Sequence, residues 1–202
     1  MAYSLKLLKT KYRNIFNSNG IVLLKNYFNN DETTQICSYA DDILQTINIK
    51  NKINLFTSSN ITTNNDIKYF LNKHPPLSKF LTYIINPIIN NIYGRELVIF
   101  RDTMNISIPN SCGLSKRCDI LQYGNYKPKK FVNVMLFSEN THIEICNNKE
   151  WRIIETSPRD ILLFDCNTIY RGCHNNTKNI NKIFIFTYNE KSIGEFYNTF
   201  ND

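Results

Sequence analysis

Three side chains in the second half of the chain are of types that bind transition metals: His142, Glu144 and His174. His142 and Glu144 are two residues apart in a segment that we predict to be a β-strand, so both side chains point to one face and can reach one ion. Two imidazoles and one carboxylate can hold a metal on one side and leave its other positions open. His174 falls in a predicted loop. The alternative is that both histidines are exposed or hydrogen-bonded and bind no metal.

Near the C-terminus, two short apolar runs flank a polar segment. Residues 161–164 and 183–186 are β-branched or aromatic and read as strands. Residues 170–177 between them are too polar for a core strand and too short for a domain linker. We therefore expect this segment to lie where two strands meet a cavity.

This C-terminal frame resembles the phytanoyl-CoA dioxygenase family of iron(II)/2-oxoglutarate oxygenases. The family's pattern is matched by residues 159–165, 169–172 and 175–177. Tyr170 stands where the family has its second metal-binding His, and Lys182 stands where it has the Arg that binds 2-oxoglutarate. The order of helix, Gly, strand and capped helix in residues 4–44 is similar to the family's N-terminal opening, so the resemblance covers both ends of the chain.

The other half of the family's metal site, an H-x-D pair on a strand, is matched by Arg117 and Asp119. A guanidinium is always protonated and has no lone pair for a metal. With Tyr170 in the remaining position, the resemblance implies a vestigial metal site at Arg117, Asp119 and Tyr170. We therefore expect no cofactor. If an unusual ligand set keeps the enzyme active, Fe(II) and 2-oxoglutarate are expected instead.

A guanidinium can also replace a metal ion electrostatically. If Arg117 and Asp119 lie two apart on a strand, they can pair, and an unpaired buried carboxylate would be costly. The alternative is that they form a surface pair on an edge strand.

Lys182 precedes the apolar run 183–186. A lysine can pair with a carboxylate as a point charge, where an arginine would bind it through two hydrogen bonds. We expect Lys182 to line the same cavity as Asp119 and Tyr170, and a small anion to bind there. The alternative is a solvated lysine at the start of a strand.

Three functions follow from these residues. The first is a non-catalytic pseudoenzyme that uses the cofactor cavity or the basic surface for binding. The second is an active Fe(II)/2-oxoglutarate-dependent hydroxylase with an unusual ligand set. The third is a structural or assembly protein built on a β-sandwich.

The elements that position these residues form an α+β chain. Residues 1–95 are predicted to be mostly helical and residues 96–190 to form a β core, within one domain that spans residues 1–202. The resemblance implies a double-stranded β-helix, or jelly roll, with the N-terminal helices packed on one sheet.

Helices are predicted over residues 4–16, after a cap at residues 29–31 as far as Leu44, and over residues 77–93, with a kink at Pro87. A short helical turn is expected over residues 67–71, and a strand at residues 53–56. About eight further strands are expected after Glu96, including one over residues 118–121.

Composition limits the other possibilities. With 42% hydrophobic residues, the chain of 202 residues can build a packed core. The formal net charge of +7 suits an anionic metabolite, a membrane surface or nucleic acid, but no nucleic-acid motif is present and such binding is not favoured.

The 6 cysteines show no C-x-x-C spacing, which favours reduced thiols in a cytoplasmic protein. The most apolar stretch, residues 80–93, falls short of the roughly 20 residues that a bilayer requires, so no membrane span is expected. The heavy use of Asn, Ile and Lys is typical of an AT-rich genome such as that of a large DNA virus.

Overall fold

The computed structural model describes residues 2–51, 65–119, 121, 131–147 and 149–191. The strand predicted at residues 53–56 lies outside this described part of the chain.

Two helices and one strand open the chain. Helix α1 (Ala2–Asn19) ends at Gly20, whose positive φ of 68° turns the chain into β1 (Ile21–Leu24). Helix α2 (Asn30–Asn51) begins with a capping box: Asn29 Oδ1 accepts from the Glu32 N–H at 2.9 Å, and Glu32 Oε2 accepts from the Asn29 N–H at 2.9 Å.

A helical arm follows a short strand, β2 (Asn65–Lys68). It consists of a 3₁₀ turn (Leu71–Lys73), α3 (Pro75–Phe80), a π-helical stretch (Leu81–Ile85) and α4 (Asn86–Tyr93). His74 caps α3, because its Nδ1 accepts from the Leu77 N–H at 3.2 Å. The predicted helix over residues 77–93 is confirmed, and the expected irregularity is a π-helical stretch just before Pro87.

The strands form two antiparallel sheets. After β1 and β2 come β3 (Leu97–Ser107), β4 (Phe131–Phe137), β5 (Thr141–Asn147), β6 (Glu150–Thr156), β7 (Ile161–Asp165), β8 (Ile169–Gly172) and β9 (Asn181–Glu190). The six-stranded sheet has the order β1-β7-β4-β9-β3-β2, and the three-stranded sheet has the order β6-β5-β8.

Two local predictions are wrong. Residues 67–68 belong to β2 and not to a helical turn, because they pair with β3. The strand expected over residues 118–121 is reduced to a single bridge between Arg117 and Tyr170, followed by a 3₁₀ conformation at Asp119.

The large sheet is buried on both faces. Alternate residues of its central strands, such as Val134 and Phe184, pack against the helices in a helix-side core. The residues between them, such as Met135 and Ile185, pack against the small sheet in an inter-sheet core. The chain is therefore a double-stranded β-helix with helices packed on one sheet, as predicted.

Among the described residues, a strand pairs with only part of the outer edge of β3. Strand β2 pairs with residues 103–106 of β3. Near the other end of β3, the Leu97 N–H donates to the side-chain oxygen of Asn90 in α4 at 2.9 Å. A side chain therefore bonds a backbone group that a neighbouring strand would otherwise bond.

No disulfide joins the cysteines of the described ranges. Among the helices of the described ranges, none is long and apolar enough to cross a bilayer.

Candidate functional site

Asp119 lies at the centre of a buried hydrogen-bonded cluster. The Tyr170 hydroxyl donates to its carboxylate at 2.9 Å, and Asn133 Nδ2 donates to the same oxygen at 2.7 Å. The Thr187 hydroxyl in turn donates to Asn133 Oδ1 at 2.8 Å. Asp119 is 6% exposed, and Tyr170 and Asn133 are 1% exposed. Asp119 and Tyr170 therefore meet in one site, as expected.

Both sheets contribute to this cluster. Asn133 in β4 and Thr187 in β9 are paired neighbours on the inner face of the large sheet. Tyr170 lies in β8 of the small sheet, and its backbone bonds that of Arg117 in both directions, at 2.8 and 2.9 Å. Asp119 follows two residues later, so its carboxylate joins the two sheets.

Burial raises the pKa of Asp119 above its ordinary value, since the charged form loses its hydration. The hydrogen bond from Tyr170, the positive charges of Arg101 and Arg117 and the hydrogen bond from Asn133 oppose this shift without cancelling it. These neighbours therefore offset only part of the cost of ionising the buried carboxyl group.

Arg117 does not pair with Asp119, so that prediction is wrong. Its guanidinium Nη2 lies 2.6 Å from Asp66 Oδ2, and the other oxygen of Asp66 accepts from Asn105 Nδ2 at 2.9 Å. The physical reason is that residues 117–119 do not form a regular strand, so the two side chains are not presented side by side. The alternative, a surface pair of Arg117 and Asp119, also fails, because Asp119 is only 6% exposed and the Arg117 side chain only 13% exposed.

Lys182 lies on the opposite face of the large sheet from Asp119 and Tyr170. Its ammonium group forms an ion pair with Asp41 of α2. Ile183 and Ile185 face the small sheet, whereas Phe184 and Phe186 face the helices, and Lys182 shares the side of Phe184. The expectation that Lys182 lines the cavity is therefore wrong, and Asn181 is the residue that faces inwards there.

The alternative metal ligands, His142, Glu144 and His174, do not come together. His142 is exposed, Glu144 forms an ion pair with Arg171, and His174 Nδ1 lies 2.7 Å from Asn176 Oδ1. His142 and Glu144 alternate with inward-facing Ile143 and Ile145, so both lie on the outer face of the small sheet. Within the described ranges, no three His, Cys, Asp or Glu side chains converge as a metal site.

Sequence reasoning missed Asn133, Asp66 and Asn181. Asn133 can be identified from the sequence as a candidate, because it is the one polar residue in the apolar segment 131–137. A single polar side chain in a strand buried on both faces needs a buried partner. Asp66 carried no such signal, because its role depends on the pairing of β2 with β3.

No family model matches the sequence. Among curated proteins, the chain is similar to a 2-aminoethylphosphonate dioxygenase from the uncultured bacterium HF130_AEPn_1, with 22% identity over 96% of this chain and 85% of that protein. Among solved structures, it is similar to SnoK, a non-heme α-ketoglutarate-dependent carbocyclase from nogalamycin biosynthesis. The TM-score is 0.76 with 11% identity, and the match covers 89% of this chain and 83% of that one.

A second solved structure is EctD from S. alaskensis with bound Fe, at a TM-score of 0.72 and 12% identity over 95% of this chain and 81% of that one. The protein has the fold of the Fe(II)/2-oxoglutarate oxygenases. The resemblance seen in the sequence to this oxygenase group is thereby confirmed.

The sequence predicts that no cofactor is bound, and these comparisons contradict that prediction. EctD has been solved with Fe and, separately, with 2-oxoglutarate and 5-hydroxyectoine. The relatives of this oxygenase fold thus point to iron and 2-oxoglutarate, and not to an absence of cofactors.

The residues around Asp119 fit 2-oxoglutarate better than they fit iron. Asp119 is the single carboxylate at the centre, and its oxygens already accept from Tyr170 and Asn133. This set does not fit a triad of two imidazoles and one carboxylate. Arg101 and Arg117 fit a carboxylate ligand better, because a guanidinium can bind both oxygens of such a group.

Proposed function

We propose that this protein is a non-catalytic member of the oxygenase fold that binds 2-oxoglutarate or a related small carboxylate between its sheets. The observation that carries the proposal is the state of Asp119. Its carboxylate is held by the phenol of Tyr170 and the amide of Asn133, and the resemblance in the sequence implies that Tyr170 replaces a metal-binding histidine.

Hydroxylation requires a metal that stays bound while oxygen reacts. The Tyr170 hydroxyl donates its hydrogen to Asp119, so it acts there as a neutral hydrogen-bond donor and not as an anionic metal ligand. A metal that bound Asp119 would displace the donors Tyr170 and Asn133 and leave two buried polar groups without their partner, which costs about 1–3 kcal/mol for each. These costs favour the hydrogen-bonded cluster.

The carboxylate ligand would be bound by arginine. Arg117 is mostly buried and is held in place through Asp66, and Arg101 lies opposite Thr187 in the register of β3 and β9. Both charges act on Asp119, so both lie near the space between the sheets. A guanidinium in such a site gains more from a carboxylate than one in water, because solvent screening is weaker there.

The test has a binding arm and a turnover arm. We expect 2-oxoglutarate to bind in calorimetry and Arg117→Gln to weaken that binding about tenfold, which corresponds to roughly 1.4 kcal/mol for a charged hydrogen bond. Asp66→Asn controls for loss of the ion pair, and Lys182→Gln, on the opposite face, should leave binding unchanged. The absence of any binding would overturn the proposal.

In the turnover arm, the protein is incubated with Fe(II), ascorbate and 2-oxoglutarate, and succinate is measured. We expect no succinate above the level formed without protein. Catalytic succinate formation that Asp119→Ala abolishes would overturn the non-catalytic part of the proposal.

The second candidate is an active dioxygenase. It is favoured by the similarity to the 2-aminoethylphosphonate dioxygenase, which extends over 96% of this chain. In that case the bonds from Tyr170 and Asn133 to Asp119 would have to open before a metal could bind. The turnover arm distinguishes the two candidates.

A further inference from the structure

Asn181 joins the two sheets at the start of β9. It pairs with Ser107 of β3, and its Nδ2 donates across the inter-sheet space to Thr141 Oγ1 of β5 at 2.7 Å. The residue is 6% exposed. Because the neighbouring Lys182 points to the helices, Asn181 is the side chain that the start of β9 directs between the sheets.

The carbonyl oxygen of the Asn181 side chain is buried without a hydrogen-bond donor among the described residues. Leaving such an acceptor unsatisfied costs about 1–3 kcal/mol, so this oxygen indicates a missing donor. The amide can also reverse, since the Thr141 hydroxyl is able to donate as well as accept. In either orientation Asn181 offers a neutral group to a ligand.

The arginine site lies nearby on the same face. Arg117 is bound to Asp66, and Asp66 is bound to Asn105, which precedes Ser107 by two residues in β3. Two residues in a strand span about 7 Å. Asn181, which pairs with Ser107, therefore lies about this far along the sheet from the strand position that bonds Asp66.

We infer that the ligand carries a carboxylate at one end and a neutral hydrogen-bonding group, such as a primary amide, at the other. The inference rests on the proposed binding function and names the class of ligand. A second carboxylate next to Asn181 would be buried against a neutral amide, and burial of a charge is unfavourable unless an opposite charge pairs with it. A primary amide can both donate and accept there, so it suits both orientations of the Asn181 side chain.

The experiment compares glutarate with its monoamide, which has the same length and shape but one charge fewer. Calorimetry on the wild-type protein should show the monoamide binding about tenfold more tightly, as expected when a buried charge would otherwise lack a partner. Asn181→Leu should abolish the preference, and Asn181→Arg should reverse it. Lys182→Gln, on the same strand but the opposite face, should change neither affinity.

The outcomes separate the two proposals. If neither compound nor 2-oxoglutarate binds, the proposed function fails. If glutarate binds the wild type as tightly as the monoamide, the binding function stands and the inference about ligand class is overturned. The wild-type comparison decides this even if Asn181→Arg does not fold.

Discussion

Asp119 is a carboxylate whose protonation is coupled to folding. Its pKa in the folded protein is raised by burial, so between its ordinary value of about 4 and the higher folded value the native state holds more protons than the unfolded chain. This group therefore contributes stability that is fully present below the ordinary pKa and is lost as the pH rises through the folded pKa.

We predict that Asp119→Asn removes this part of the pH dependence. The free energy of unfolding in urea, measured from pH 3 to pH 8 for both proteins, should show the wild type losing its advantage as the pH rises through that window. The introduced amide can still accept from Tyr170, and Asn133 can reverse its own amide because the Thr187 hydroxyl both donates and accepts. Parallel pH profiles of the two proteins would contradict the coupling.

The positions of Arg117 and Tyr170 allow a test of whether a metal site can be built around Asp119. They are bridge partners, so their side chains start from the same face of the small sheet, and Tyr170 already reaches Asp119. We predict that Arg117→His with Tyr170→His binds Co(II) at least about tenfold more tightly than the wild type, or roughly 1.4 kcal/mol.

Each single variant should gain less, because a triad requires both imidazoles. The Co(II) absorption spectrum reports affinity and ligand geometry without requiring turnover. Equal Co(II) affinity in the wild type and the double variant would show that these positions do not form a metal site.

At the scale of elements, β8 and the segment that leads to Asp119 are held together by close backbone contact. Gly172 donates its N–H to the Leu114 carbonyl at 2.8 Å, and a Cβ at Gly172 would lie 2.5 Å from the Leu114 nitrogen. Gly113 makes a similarly close approach to the backbone of Cys173. Glycine is required at these two positions because any side chain would push the segment away from β8.

We predict that Gly172→Ala lowers the free energy of unfolding by about 1–3 kcal/mol, as expected for overpacking. It should also weaken 2-oxoglutarate binding, because residues 114–119 would shift. Arg171→Lys, in the same strand with an exposed side chain, should change stability by no more than about 0.5 kcal/mol. Unchanged stability of Gly172→Ala would mean that the segment can move without cost.

The elements also show where prediction from sequence succeeds. Long apolar segments such as β4 and the helix over residues 77–93 were predicted because burial alone determines their pattern. Strand β2 was not, since a four-residue strand is stabilised by its pairing with β3 and not by its own composition. The direction of Lys182 was unpredictable because β9 is buried on both faces, so no alternation of polar and apolar residues reveals which side chain faces inwards.

At the scale of the whole molecule, the fold and the order of its parts followed from the resemblance, but the contacts of the site did not. Residues 117, 119, 170 and 133 come together from three separate parts of the chain, and their partners depend on how two sheets meet. The ion pair between Arg117 and Asp66 joins the small sheet to edge strand β2 of the large one. It thereby connects the two sheets at the edge of the large sheet that β2 forms.

The outer edge of β3, which is paired along only part of its length among the described residues, affects the tendency of the protein to aggregate in concentrated solution. An open strand edge is a template on which another copy of the chain can add a strand. The Asn90 amide already occupies the Leu97 N–H there, so an incoming strand would have to displace it. We predict that Asn90→Ala lowers the free energy of unfolding by only about 1 kcal/mol. Light scattering should rise more steeply with protein concentration for this variant than for the wild type. An unchanged scattering profile would show that the Asn90 amide does not limit aggregation.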